Sequence, residues 1–77
     1  MEAKILAILT EIRPEFDFSG STDFVEDGML DSFDIAALVV ELDETYGISI
    51  DGVDIVPENF ASLGTIKNLL VKNGART

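Results

Sequence analysis

The sequence predicts an all-α fold, a bundle of three main helices plus one short helix, with a long loop between the first and second helices. Three segments carry apolar side chains at helical spacing: residues 2–13, 32–46 and 63–73. Residue types that favour the start or the end of a helix flank these segments. A chain of 77 residues is short for more than one core. We therefore expect a single domain over residues 1–77.

The first helix is predicted over residues 2–13, and a long connection follows it. The apolar stripe of this helix consists of Ile5, Ile8, Leu9 and Ile12. Pro14 ends the helix, because the residue before a proline is pushed out of the helical region. The connection, residues 14–30, is long for a small domain and therefore needs anchors. We expect its three phenylalanines to tie it to the core: Phe16, Phe18 and Phe24.

The central helix, residues 32–46, has the clearest pattern. Its apolar stripe consists of Ile35, Leu38, Val39, Leu42 and Tyr46. Gly47 fits the position after a helix end, where a left-handed backbone is accessible to glycine. Further along, Pro57–Phe60 predicts one short helical turn with proline in its first position.

The last helix is predicted over residues 63–73. Ser62 is a favourable N-cap for it. Three apolar side chains point inward: Ile66, Leu69 and Leu70. Lys72 lies in the last turn, where the helix dipole favours a cation.

Charge is distributed unevenly along the chain. Fifteen acidic and five basic residues give a formal net charge of −10. Between Arg13 and Lys67 the chain has thirteen acidic residues and no lysine or arginine. Such a surface repels nucleic acid and anionic membranes, and it attracts basic patches on proteins. We therefore expect protein partners, no nucleic-acid binding and no membrane insertion. We also expect a monomer.

Composition excludes several kinds of site. The chain has no cysteine and no histidine, so it lacks disulfides, thiolate ligands and the usual general base. A serine nucleophile would need a lysine base, and a chain of this length has little room for a substrate pocket and an oxyanion hole. The N-terminus lacks a basic region followed by an unbroken apolar run. We expect a soluble cytoplasmic protein that is not an enzyme.

One segment of the sequence partly matches a metal-binding motif, the calcium loop. Asp23, Asp27 and Gly28 match its positions 1, 5 and 6. Val25 and Asp34 then stand at positions 3 and 12, where the motif requires oxygen ligands and a glutamate. The match fails, and we expect no metal site.

The start of the central helix concentrates the features that bear on function. With Asp31 as N-cap, Leu30 and Ile35 stand at the two positions of a hydrophobic staple. Ser32 is then the first helical residue, and its hydroxyl is free for modification at the positive end of the helix. With Ser32 as N-cap, the hydroxyl instead accepts a hydrogen bond from a backbone N–H of the first helical turn. Serine and aspartate are similar caps, so both registers stay open.

The segment Gly28-Met29-Leu30-Asp31-Ser32-Phe33 resembles the attachment motif of acyl carrier proteins. Asp-Ser-Phe in place of the commoner Asp-Ser-Leu is similar to D-alanyl and other specialised carriers. The order of elements resembles this family along essentially the whole chain. The resemblance implies an acyl-carrier-like bundle and a covalent 4′-phosphopantetheine on Ser32. A phosphopantetheinyl transferase would attach that arm, which would then carry an acyl or aminoacyl group as a thioester.

The resemblance also implies that the central helix docks on basic patches of acyl-loading and acyl-transfer enzymes. We expect the motif and recognition residues to be Asp31, Phe33, Asp34, Ala36, Val40, Glu41 and Glu44. For Phe33, packing over the core is the alternative. Ala37 stands where fatty-acid carriers usually have an acid, and the peptidyl-carrier signature is absent. The main alternative function is an acidic protein–protein interaction module with no prosthetic group.

Overall fold

Three α-helices account for most of the regular structure in the computed structural model, which describes residues 1–76. Helix α1 spans Glu2–Ile12, α2 spans Ser32–Tyr46 and α3 spans Leu63–Lys72. Short 3₁₀ helices lie in the connections: Phe18–Gly20, Gly52–Asp54 and Pro57–Phe60. No strand occurs within residues 1–76. The all-α prediction is confirmed, and the short helix at residues 57–60 has the 3₁₀ form.

The apolar stripes of the three helices meet in one core. Each stripe contributes three buried side chains: Ile5, Ile8 and Leu9 from α1, Ile35, Leu38 and Leu42 from α2, and Ile66, Leu69 and Leu70 from α3. Val39 and Tyr46 of the predicted α2 stripe are partly buried against this core. Burial of these apolar surfaces is the main stabilising contribution to the bundle. No helix of the described chain combines the length and apolarity that crossing a bilayer requires.

Aromatic side chains hold the long first connection against the core. Phe18 and Phe24 are fully buried, and their rings meet edge to face with centroids 5.2 Å apart. Phe16 is partly buried and packs edge-on to Phe18 at 6.2 Å. Aromatic rings prefer such edge-to-face contacts. The predicted role of these three residues as anchors is confirmed, and it explains how so long a connection is ordered.

Helix α2 ends at a glycine, and an aspartate fixes the chain that follows. Gly47 has φ 63° and ψ 39°, a left-handed conformation that strains residues with a Cβ atom. Beyond it, the backbone N–H of Ile48 donates to the carbonyl of Asp43 at 3.1 Å. The N–H of Ile50 donates to the Asp43 carboxylate at 3.0 Å. Although Asp43 belongs to the acidic central helix, its carboxylate is engaged within the fold.

A buried aspartate joins the Gly52–Asp54 turn to the end of α3. Asp54 is only 7% exposed, and its carboxylate accepts hydrogen bonds from Lys72 Nζ at 2.7 Å and Asn73 Nδ2 at 3.4 Å. Asn73 also accepts a hydrogen bond from the backbone N–H of Asp51 at 3.0 Å. The Lys72 ammonium lowers the pKa of Asp54, and the carboxylate raises the pKa of Lys72. The ionised pair therefore stabilises the folded chain.

This pair predicts a specific acid dependence of stability. The folded pKa of Asp54 is depressed, so its contribution is complete above the unfolded pKa of about 3.9 and is lost as the pH falls through the folded pKa. We expect Asp54→Asn to lower the melting temperature at pH 7. We also expect it to lose less stability than the wild type as the pH falls below about 4. Thermal melts across this pH range measure both effects.

The control is Glu58→Gln, which neutralises an exposed carboxylate in the neighbouring 3₁₀ helix. The melting temperature of this control should fall with pH as that of the wild type does. If the melting temperature of Asp54→Asn runs parallel to that of the wild type down to the lowest pH, the ionised Asp54–Lys72 pair does not stabilise the fold.

Candidate functional site

A reciprocal pair of hydrogen bonds opens helix α2. Asp31 is the N-cap, and its Oδ1 accepts from the backbone N–H of Asp34 at 3.0 Å. In return, Asp34 Oδ2 accepts from the backbone N–H of Asp31 at 3.1 Å. The hydrogen bond from the Asp34 N–H lowers the pKa of the Asp31 carboxyl, which therefore stays ionised. Of the two registers that the sequence leaves open, the structure adopts the one capped by Asp31.

Ser32 is consequently the first residue of α2 and is exposed to solvent. Its hydroxyl forms no hydrogen bond with another residue of the described chain, because Asp31 already supplies the capping acceptor. Backbone N–H groups of a first helical turn lack intrahelical acceptors and favour an anion. An exposed hydroxyl in this position fits a phosphodiester, although the neighbouring carboxylates oppose it by like charge.

A compact turn delivers the chain to this position. The Asp23 carboxylate accepts from the backbone N–H groups of Val25 at 3.1 Å and Glu26 at 3.0 Å. The Phe24 carbonyl accepts from the N–H of Met29 at 2.8 Å. Gly28 lies between them with φ 72°, a value that favours glycine. The segment that partly matches a calcium loop, Asp23 to Gly28, therefore forms a turn.

The two residues of the predicted hydrophobic staple lie on either side of the start of α2. Leu30 is 3% exposed and Ile35 is 7% exposed, and both belong to the one core cluster. The chain thus leaves the core at Leu30, exposes Asp31 and Ser32, and returns at Ile35. No group of three or more histidine, cysteine, aspartate or glutamate side chains suited to a metal ion is found within residues 1–76.

Arg13 ties the end of α1 to this site, a role that the sequence analysis missed. Its Nη1 donates to Asp34 Oδ2 at 2.8 Å, and its Nε donates to Glu15 Oε2 at 2.9 Å. The guanidinium also lies 5.1 Å from the centre of the Phe16 ring, within range of a cation–π contact. Hydrogen bonding to Glu15 and the charge of Asp34 raise the pKa of Arg13. The capping box is thus also an ion pair between two helices.

The solvent face of α2 carries most of the predicted recognition residues. Phe33 is 86% exposed and Val40 is 56% exposed, so the alternative in which Phe33 packs over the core is wrong. Ala36, Glu41 and Glu44 are exposed as well. Since positions three and four apart share a helix face, Phe33, Ala36 and Val40 form an apolar strip beside Ser32. We call Phe33, Ala36, Val40, Glu41 and Glu44 the α2 outer face.

Asp34 differs from the other predicted recognition residues. Its side chain is only 12% exposed, and its carboxylate is occupied by Arg13 and by the backbone of Asp31. The acids of the α2 outer face are Glu41 and Glu44, which are exposed and for whose side chains no hydrogen bond within residues 1–76 is found.

Comparison with known proteins agrees with this geometry. The family model described as "Phosphopantetheine attachment site" matches residues 3–70. No curated protein and no solved structure matches the chain significantly. Members of the family carry 4′-phosphopantetheine covalently on a serine, are generally non-catalytic, and interact with phosphopantetheinyl transferases and acyl-handling enzymes. Because the match covers most of its length, the chain belongs to the phosphopantetheine attachment-site family of carrier domains.

Proposed function

We propose that this chain is an acyl carrier protein whose 4′-phosphopantetheine is attached to Ser32 and carries an acyl or aminoacyl group to partner enzymes. One observation carries the proposal. Asp31 caps α2, which leaves the Ser32 hydroxyl exposed at the first position of the helix. The family match supports the presence of the arm, and the geometry supports this serine as its attachment point. The terminal thiol of the arm would bear the cargo as a thioester.

Attachment is a phosphoryl-group transfer onto the hydroxyl oxygen of Ser32. That oxygen would form a bond to the phosphorus next to pantetheine in coenzyme A. The pyrophosphate P–O bond would break, and adenosine 3′,5′-bisphosphate would leave with the bridging oxygen. The hydroxyl proton must go to a base. The chain has no histidine, and the neighbouring Asp31 carboxylate is engaged in the cap, so we expect the transferase to provide that base.

Ser32 exposure predicts a single modification. We expect coenzyme A and a broadly specific phosphopantetheinyl transferase to raise the intact mass by one phosphopantetheine. Fragmentation should place the added mass on Ser32. Ser32→Ala should show no mass increase, whereas Ser49→Ala, which removes another exposed serine hydroxyl, should be modified like the wild type.

A transferase proven on another carrier must be used for this measurement. If that enzyme leaves the wild-type chain unmodified, the carrier proposal is wrong. The chain would then fit an acidic interaction module without a prosthetic group.

We propose further that the α2 outer face docks on basic patches of partner enzymes. Its apolar strip lies beside Ser32, and the exposed Glu41 and Glu44 border it. Arg13 is the last basic residue before α2 in the sequence, and its side chain is paired with Glu15 and Asp34. The outer face therefore presents apolar surface and negative charge together, which complements a basic surface with an apolar centre.

Docking predicts a position-dependent effect of charge reversal. Replacing Glu41 and Glu44 with lysine should lower kcat/KM for Ser32 modification by roughly fivefold at low salt. The difference from wild type should shrink as salt rises, because exposed charges are screened over about 8–10 Å at physiological ionic strength. The control replaces Glu2 and Glu11 of α1 with lysine, which changes the net charge equally. If both double variants lower kcat/KM for Ser32 modification equally, net charge governs association and the α2 outer face does not.

A further inference from the structure

Two carboxylates share the capping box of α2. In the usual box, an uncharged serine or threonine is the N-cap and a glutamate or glutamine answers it. Here Asp31 and Asp34 each accept a backbone hydrogen bond from the other. Two like charges held this close repel each other. A cation beside the box offsets this repulsion and helps to hold the two carboxylates in place.

Arg13 is that cation. Its Nη1 lies 2.8 Å from Asp34 Oδ2, the same oxygen that accepts the Asp31 N–H. The pair is partly shielded from water, with side-chain exposures of 29% for Arg13 and 12% for Asp34. Residues 14–66 contain no lysine or arginine, so the connection and α2 supply no replacement.

Arg13 is itself held in position. Its backbone N–H donates to the Leu9 carbonyl at 2.9 Å as the C-cap of α1. Its guanidinium lies over the Phe16 ring and is hydrogen-bonded to Glu15. These contacts direct the charge of Arg13 toward the start of α2.

The competing register removes the need for this cation. If Ser32 were the N-cap, its hydroxyl would accept from the backbone N–H of Ile35, and no carboxylate would stand at the answering position. That arrangement has no paired carboxylates, but it commits the Ser32 hydroxyl to the helix. Serine and aspartate are similar caps, and the second hydrogen bond of the Asp31 register depends on keeping the Asp34 carboxylate beside Asp31, so the electrostatics of this pair contributes to the choice between the registers.

We propose that Arg13 is a positioning residue, which selects Asp31 over Ser32 as the N-cap of α2 and so keeps the Ser32 hydroxyl available for modification. The inference rests on the proposed attachment at Ser32. Arg13 acts through Asp34, and it takes no part in the transfer itself.

The kinetic test is the rate of Ser32 modification in three single variants. Arg13→Gln should lower kcat/KM by about fivefold, and Arg13→Lys should recover most of the loss. Lys4→Gln removes another cation of α1, one that is exposed, and should behave like the wild type. An equal loss in Lys4→Gln would overturn the proposal, because it would mean that net charge alone sets the rate.

A double variant isolates the route through Asp34. Asp34→Asn keeps an oxygen acceptor for the Asp31 N–H and removes one of the two like charges, so the capping box no longer holds a carboxylate pair for Arg13 to offset. Adding Arg13→Gln to Asp34→Asn should therefore cause no further loss. If Arg13→Gln lowers the rate equally in both backgrounds, Arg13 acts by another route and the proposal fails.

Amide hydrogen exchange tests the register without any transferase. In the wild type the Asp34 N–H is hydrogen-bonded to the Asp31 carboxylate, and it should exchange faster in Arg13→Gln but not in Lys4→Gln. Unchanged exchange at Asp34 would overturn the inference. An unmodified wild-type chain would instead defeat the attachment proposal, and the exchange result would still decide whether Arg13 selects the register.

Discussion

The hydrogen bond from the Asp34 backbone N–H to the Asp31 carboxylate is the constraint on which the rest of the site depends. A helix start leaves backbone N–H groups without intrahelical acceptors. The side chain that accepts from them is committed to the helix. Here the carboxylate of Asp31 has that role, so the adjacent hydroxyl of Ser32 does not. Because Asp31 supplies the capping acceptor, the Ser32 hydroxyl is left exposed and without a capping role.

The rest of the fold keeps the start of α2 in place, and it places few charged side chains in shielded ion pairs. Buried Leu30 and Ile35 hold the chain on both sides of the site. Two of the five basic residues pair with shielded aspartates: Arg13 with Asp34 and Lys72 with Asp54. These pairs stabilise the positions of α2 and of the Gly52–Asp54 turn. Most of the acidic excess lies on exposed surface, including the α2 outer face.

Local pattern predicted much of this arrangement. Apolar periodicity located the three helices, because each buries one stripe in a common core. Gly47 and Ser62 marked helix ends because their preferences act within a few residues. The sequence also held a signal for the cap that was not used. With Asp31 as N-cap, the third helical position is Asp34, whereas with Ser32 it would be Ile35. Only the first register supplies an acceptor there.

Long-range polar contacts could not be predicted in this way. Arg13 and Asp34 are far apart in sequence, as are Asp54 and Lys72, and each pair meets only because of how the helices pack. The same holds for Asp43, whose bond to the Ile50 N–H requires the left-handed turn at Gly47. On sequence alone, Asp34 is an expected recognition residue and Asp43 is another acid of the central helix. The structure shows that their carboxylates are engaged inside the molecule.

The division of roles between Asp31 and Ser32 is the central claim, and a pair of thermal melts tests it most directly. Asp31→Ala and Ser32→Ala place the same residue at adjacent positions of the unmodified chain. The account predicts that Asp31→Ala lowers the melting temperature at pH 7, because the helix loses its capping acceptor. Ser32→Ala should leave the melting temperature essentially unchanged. A loss of stability in Ser32→Ala with none in Asp31→Ala would show that the serine caps the helix, and it would contradict the account.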